Sequence, residues 1–204
     1  MTWWRRNRIW LWALVPLLAL AIVASSFRLF TLYLAWEWSR PTVAEGPIGM
    51  FHQTFQAFDG VERDREVQVE VLSVLSYPRL DGVRAVDGGV LWRVWLEFEA
   101  EPDQILDGCY VELTDEDGNR YDTQGGLEAA DENGYFVTSV LQRCVPEEAP
   151  GPVVEALSGE FVESPIERPR TWRSDALIAM PEGVEPVGVR IGWREPEYLV
   201  LEVP

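Results

Sequence analysis

Any imidazole chemistry in this chain must run through one residue. His52 is the single histidine, and a Ser-His-Asp or Cys-His device needs a base within hydrogen-bond reach of its nucleophile. Nothing around it supplies that context. No Gly-x-Ser-x-Gly turn occurs, no Gly-x-Gly-x-x-Gly follows a strand, and there is no Walker loop. Gly88-Gly89 and Gly125-Gly126 read as turn glycines. His52, beside Phe51 and close to Phe55, reads as a structural or surface histidine, and no catalytic residue is assigned.

Carboxylates are too many to be informative. There are 34 Asp and Glu, so pairs for glycosidase-type acid/base work can be drawn almost anywhere, and only geometry could select one. The best cation-like grouping is Asp115, Asp117, Asn119 and Asp122. An EF-hand loop needs Gly at its sixth position and Glu at its twelfth; here Gly118 is fourth and Gly126 twelfth. The segment reads first as a hairpin turn, and a weak Ca²⁺ site stays open. Asp131-Glu132 and Glu147-Glu148 read as solvated loops. Two cysteines, Cys109 and Cys144, with a distant His52 cannot complete a metal site. In an oxidising compartment they pair by default, two buried thiols being the alternative. Such a bridge is worth roughly 3–4 kcal/mol through loop closure. No cofactor is expected.

The elements that hold these residues fall into two parts. Arg5, Arg6 and Arg8 precede an uncharged run from Ile9 to Phe27, nineteen residues. As a helix it is ~28 Å long, close to the ~30 Å hydrocarbon core of a bilayer. The arginines favour a cytoplasmic N-terminus (residues 1–8). Trp3, Trp4, Trp10 and Trp12 fit an inner aromatic belt, and Tyr33, Trp36 and Trp38 an outer one. Pro16 should kink the helix. Arg28 sits where a side chain can snorkel to headgroups. Leu29, Leu32, Tyr33 and Trp36 keep helical spacing, so a transmembrane helix with an interfacial extension is expected over residues 9–38, ending before Pro41. The alternative is a cleavable signal, with Ala24 and Ser26 before a cut at Phe27. That cut would leave an apolar stretch at a free terminus.

Charge divides the chain at the same place. The whole carries −17; residues 1–38 hold four Arg and one Glu, +3, which leaves −20 for residues 39–204. Every basic residue is Arg. A domain this acidic repels nucleic acid and anionic headgroups. Residues 39–47 read as a Pro/Gly-broken linker. From 48 to 204 period-2 patterns dominate. Val67, Val69 and Val71 form one inward stripe; Trp92, Val94, Leu96 and Phe98 form another; Cys109, Val111 and Leu113 a third. Met50–Phe55, Arg120–Thr123, Phe136–Leu141, Trp172–Met180, Val187–Trp193 and Tyr198–Val203 are further strands. No long helical period follows residue 41. Seven or eight short strands with one apolar face predict a mainly β domain, an antiparallel β-sandwich. Within residues 48–204 Trp-Arg occurs three times, at Trp92, Trp172 and Trp193, which composition alone can produce. Trp95 falls on the Arg93/Glu97 face, under a covering loop or as an exposed contact.

The chain resembles a group of actinobacterial single-pass membrane proteins of unknown function with an extracellular immunoglobulin-like domain. The likeness rests on the Arg-then-apolar start, Trp36–Thr42, Leu91–Gln104, Gly108-Cys109, Leu113–Tyr121, Cys144-Val145-Pro146, Met180–Pro186 and Leu199–Pro204. It implies a plasma-membrane location and an immunoglobulin-like ectodomain at 48–204, and no activity. The expected function is a non-enzymatic accessory or interaction module. It would be bound to the bilayer through residues 9–38 and would meet another envelope protein. The alternatives are a subunit of a larger membrane complex, contacting it through the Trp-rich helix, and an envelope hydrolase using carboxylates.

Overall fold

The computed structural model describes residues 3–28, 37–130, 136–137 and 144–204. α1 spans Trp3–Arg28 and runs on through Pro16. All other named elements are strands. They are β1 (Arg40–Val43), β2 (Ile48–Gln56), β3 (Glu62–Tyr77), β4 (Val83–Ala85), β5 (Gly89–Glu99), β6 (Tyr110–Thr114) and β7 (Arg120–Asp122). They continue as β8 (Leu127–Ala130), β9 (Phe136–Val137), β10 (Val153–Val154), β11 (Phe161–Val162), β12 (Thr171–Pro181), β13 (Gly188–Arg194) and β14 (Glu197–Glu202).

Two sheets make the body. One has the order β1-β14-β13-β6-β7, the other β12-β5-β3-β2; smaller sheets are β4-β8-β9 and β10-β11. Both large sheets put one apolar face into a single core, as strand alternation requires. On β5, Val94, Leu96 and Phe98 are fully buried, while Trp92 packs only partly against the same core. On β3, Val67, Val69 and Val71 point inward, and Val74 follows three positions later. An odd step should reverse the face; the register shift between Val71 and Ser73 absorbs it. Facing them are Val111 and Leu113 of β6, Val189, Ile191 and Trp193 of β13, and Leu199 and Leu201 of β14.

Cys109 and Cys144 are bonded, with Cα atoms 5.7 Å apart. Both are buried in the main core. Beside them Trp172 stacks on Phe98 at 5.6 Å, and its indole N–H donates to the Cys144 carbonyl at 2.6 Å. Trp193 stacks on Phe51 at 5.4 Å and donates to the Leu106 carbonyl at 2.8 Å. Buried indoles need such partners, and here they tie two loops to the two sheets.

The mainly β, antiparallel architecture agrees with the sequence, but the segment at 39–47 does not. The expected linker contains β1, paired in parallel with β14 from Arg40↔Glu197 to Val43↔Val200. Arg40 N and Ala44 N donate to Pro196 O and Val200 O. Pro41, one residue out of phase, therefore turns its nitrogen to the free edge, where a missing N–H costs no ladder bond. Trp38 is not helical and packs on the sheet rather than in an aromatic belt. Residues 29–36, the rest of the expected interfacial extension, lie outside the described residues, as do 138–141 of the Phe136–Leu141 strand.

Among the described residues no helix is long and apolar enough to cross a membrane. The longest unbroken run of described side chains without charge in α1, Trp12–Phe27, gives ~24 Å at ~1.5 Å per residue. The side chains of Ile9 and Leu11, which extend the uncharged run, lie outside the described set.

Candidate functional site

The sequence-predicted positions do not converge. His52 is exposed on β2 with Glu66 as its register partner. Asp115 spends its carboxylate on a turn: it accepts from Asp117 N and Asn119 N at 3.0 and 2.8 Å. It also accepts from Asn119 Nδ2 and the Tyr121 hydroxyl, both at 2.9 Å. Those bonds, Asn119's first, hold its pKa below the usual carboxylate range against some burial. Asp122 likewise accepts from Gln124 N and Gly125 N. The segment is the hairpin turn that the sequence suggests first, joining β6 to β7; no three His, Cys, Asp or Glu gather for a metal ion among the described residues.

Trp95 is half-buried beneath the Arg93 guanidinium, 3.8 Å from its ring centroid. Asp175 fixes that guanidinium at 2.8 Å. The Trp-Arg dipeptides do not pair internally, because neighbours on a strand face opposite ways. The arginines stack elsewhere: Arg168 over Trp172 and Arg190 over Tyr198, at 4.7 and 4.0 Å. Arg65 lies over Phe55 at 4.2 Å. Arginine therefore does staple aromatics here, onto rings two to ten residues away along the chain rather than onto the adjacent one.

The chain enters the β domain at one end. Ser39 N and Arg40 N both donate to Pro196 O, at 2.9 and 2.8 Å. Trp38 stacks on Tyr110 at 5.5 Å and meets Tyr198 edge-on at 6.4 Å. It covers Gly192 beside the buried Arg190–Glu112 pair, 2.6 Å apart. Tyr110 donates to Glu112 at 2.9 Å; burial, then the Glu112 charge, push its phenol up. Arg194, at the foot of β13, donates to Gln56 O at 2.5 Å and lies over Phe58 at 5.6 Å. The 57–61 turn, the Pro196 turn and Trp38 therefore share one end.

That end carries exposed apolar side chains: Phe58 at 62%, Val61, Leu157, Phe161 and Ile166 at 56%. It also carries a cleft of about 410 Å³ lined by Pro102, Asp103, Gly151, Pro152, Phe161, Glu163, Ser164, Pro165, Glu167 and Arg168. Arg168 is 1% exposed. It donates to Pro150 O at 3.2 Å and Glu101 O at 2.8 Å, so it ties two walls of the cleft together. Among the described residues its Nε has no acceptor. Burial lowers its pKa to about 10, with Asp103 opposing. None of this is visible in the sequence, because the lining comes from three separated segments without a motif. The only hint is proline beside acid, at Pro102-Asp103 and Pro165–Glu167.

No family model, curated protein or solved structure matches this chain.

Proposed function

We propose that the protein is a membrane-anchored, non-enzymatic interaction module. In this reading α1 crosses the plasma membrane with residues 1–8 in the cytoplasm. An immunoglobulin-like sandwich outside then presents the end at which the chain enters it to another envelope protein. The observation that carries it is an exposed Phe161 in the lining of a cleft, with exposed Phe58 and Val61 in the neighbouring turn. Apolar surface rimmed by polar groups marks interaction sites. The anchor is supported by the uncharged stretch Ile9–Phe27 and by the 55–74% exposure of its large described side chains, Trp10, Leu14 and Val23 among them. A helix apolar on all sides and left uncovered suits lipid. The disulfide suits an oxidising compartment.

The test uses the full chain in cells, with a photoreactive amino acid at position 161. The reading expects carbonate-resistant membrane association, an N-terminus at Met1 or Thr2, and a discrete protein adduct at 161 that is missing from a control at Glu185. An N-terminus at Phe27, or no site-specific protein adduct, overturns it.

A further inference from the structure

Within the interaction reading just given, on which this inference rests, we infer that the cleft lined by Phe161 and Arg168 receives a cationic segment of its partner. That segment carries an Arg or Lys next to an apolar side chain.

Charge around this cleft is left unspent. Among the described residues, seven arginines of the domain already form ion pairs. At the same end Asp59 pairs with Arg63 at 2.6 Å and Glu101 with Arg170 at 2.7 Å. On the neighbouring face Glu97 pairs with Arg173 at 2.7 Å. Asp103, Glu163 and Glu167 line the cleft and have no ion pair or hydrogen bond among the described residues. Three carboxylates around one opening repel one another, and a guest cation relieves that repulsion. The single cation in the lining, Arg168, interacts with Asp103 but brings one charge against three, and its Nη atoms are held by the carbonyls of Pro150 and Glu101. The side chain lies over Trp172, 4.7 Å from the ring centroid.

The rest of the lining is apolar and stiff. Pro102, Pro152 and Pro165 carry no backbone N–H and lose little entropy when a guest arrives. Phe161 is 43% exposed and can take an aliphatic or aromatic side chain beside the charge. Gly151 completes the fit. A Cβ there would stand 2.7 Å from Arg168 Nη1, so the wall closes on Arg168 only because the residue is glycine. A pre-built cleft, three unpaired carboxylates and an exposed aromatic together select a basic and apolar guest. They disfavour an acidic one, and the −20 charge of residues 39–204 steers in the same direction.

The probe is the amidated peptide Arg-Trp-Arg, titrated into the full chain in zwitterionic nanodiscs and followed by residue-resolved NMR shifts. Expected are shifts centred on the cleft, at least 10-fold weaker binding in the D103N/E163Q/E167Q variant, and at least 5-fold weaker binding in F161A. A charge-matched control, E116Q/D117N/E185Q, away from the cleft, should bind within 2-fold of the parent. Arg-Gly-Arg should bind more weakly than Arg-Trp-Arg, and Glu-Trp-Glu should not bind. Equal weakening in both triple variants means that net charge alone attracts the peptide, and overturns the inference. So do shifts centred elsewhere, or lipid rather than protein adducts at position 161. Loss of peptide binding alongside a retained protein adduct at 161 overturns this inference and leaves the interaction reading standing.

Discussion

Trp38 occupies the space that a side chain on Gly192 would fill: a Cβ built on Gly192 would lie 2.8 Å from Trp38 Cη2. Two residues before β1, the chain is thus already seated on the central strand of the five-stranded sheet, with Trp38 between Tyr110 and Tyr198. Glycine is needed at 192 for this approach and not for its backbone, whose φ is not positive.

Gly192→Ala should therefore unseat Trp38 and cost about 1–3 kcal/mol, the usual size of overpacking. In a Trp38→Ala background the same change should become neutral, or stabilise by about 0.4–1 kcal/mol through the unfolded chain. Urea unfolding of the four proteins closes the cycle. Additive single effects would show that the two residues are not in contact.

Reduction should destabilise the domain. Cys109 and Cys144 enclose a separation of 35 residues, which corresponds to about 3–4 kcal/mol of loop-closure stabilisation. The pair should resist alkylation until reduced, and the Cys109→Ala/Cys144→Ala variant should unfold at clearly lower urea. Labelling of the native protein by a thiol reagent would refute the bond.

The strands that can be read from the sequence are those with one wet and one dry face. β5 is legible because Val94, Leu96 and Phe98 alternate with Arg93 and Glu97, and β3 because Val67, Val69 and Val71 alternate with Gln68 and Glu70. β1 is illegible for a physical reason. All four of its side chains are exposed, so it has no alternation, and Pro41 reads as a breaker although its nitrogen faces the open edge. Trp38 is easily misplaced, because an aromatic near an apolar helix looks the same whether lipid or a glycine on a sheet receives it. The cleft is hidden for another reason: its lining is contiguous only after folding, and Arg168 contributes through backbone carbonyls that no motif records.

The acid limb of stability should reflect two carboxylates. Asp59 is held at about 2, first by the Arg63 hydrogen bond and then by Val61 N, and Asp115 is lowered by Asn119 and Tyr121. A carboxyl depressed by folding binds its proton more readily in the unfolded chain, so it stabilises above its unfolded pKa of about 3.9. That contribution fades as pH falls through the folded pKa. Between pH 5 and pH 2 the parent should lose stability more steeply than Asp59→Asn or Asp115→Asn. Parallel curves would show that neither carboxylate shapes the acid limb.

The inward stripe of β5 can be tested by neighbours. Leu96 is fully buried, and Leu96→Ala should cost about 2–5 kcal/mol. Glu97 points the other way and meets Arg173 at 2.7 Å, with Arg173 60% exposed. A surface pair of this kind is worth about 0–1 kcal/mol, so Glu97→Ala should cost no more than that. Equal losses in urea unfolding would mean that the register is wrong.

Gly151 is the position where fold and cleft can be separated. Its φ of 81° is a conformation that a side chain adopts at a cost of about 1–2 kcal/mol. A Cβ there would also press on Arg168 Nη1 at 2.7 Å and stand 3.2 Å from Pro102 O. Gly151→Ala should therefore destabilise by about 2–4 kcal/mol when overpacking is added to the backbone cost. It should also shift Arg168 off the Pro150 carbonyl. Arg168→Met keeps an apolar stem on Trp172 and removes the buried guanidinium, whose Nε has no acceptor among the described residues. Replacing a buried ion by a well-packed apolar side chain is often neutral. In the Arg168→Met background Gly151→Ala should retain the backbone cost alone, about 1–2 kcal/mol. If its cost is unchanged there, Arg168 is not what Gly151 makes room for, and the tie between the two cleft walls fails with it.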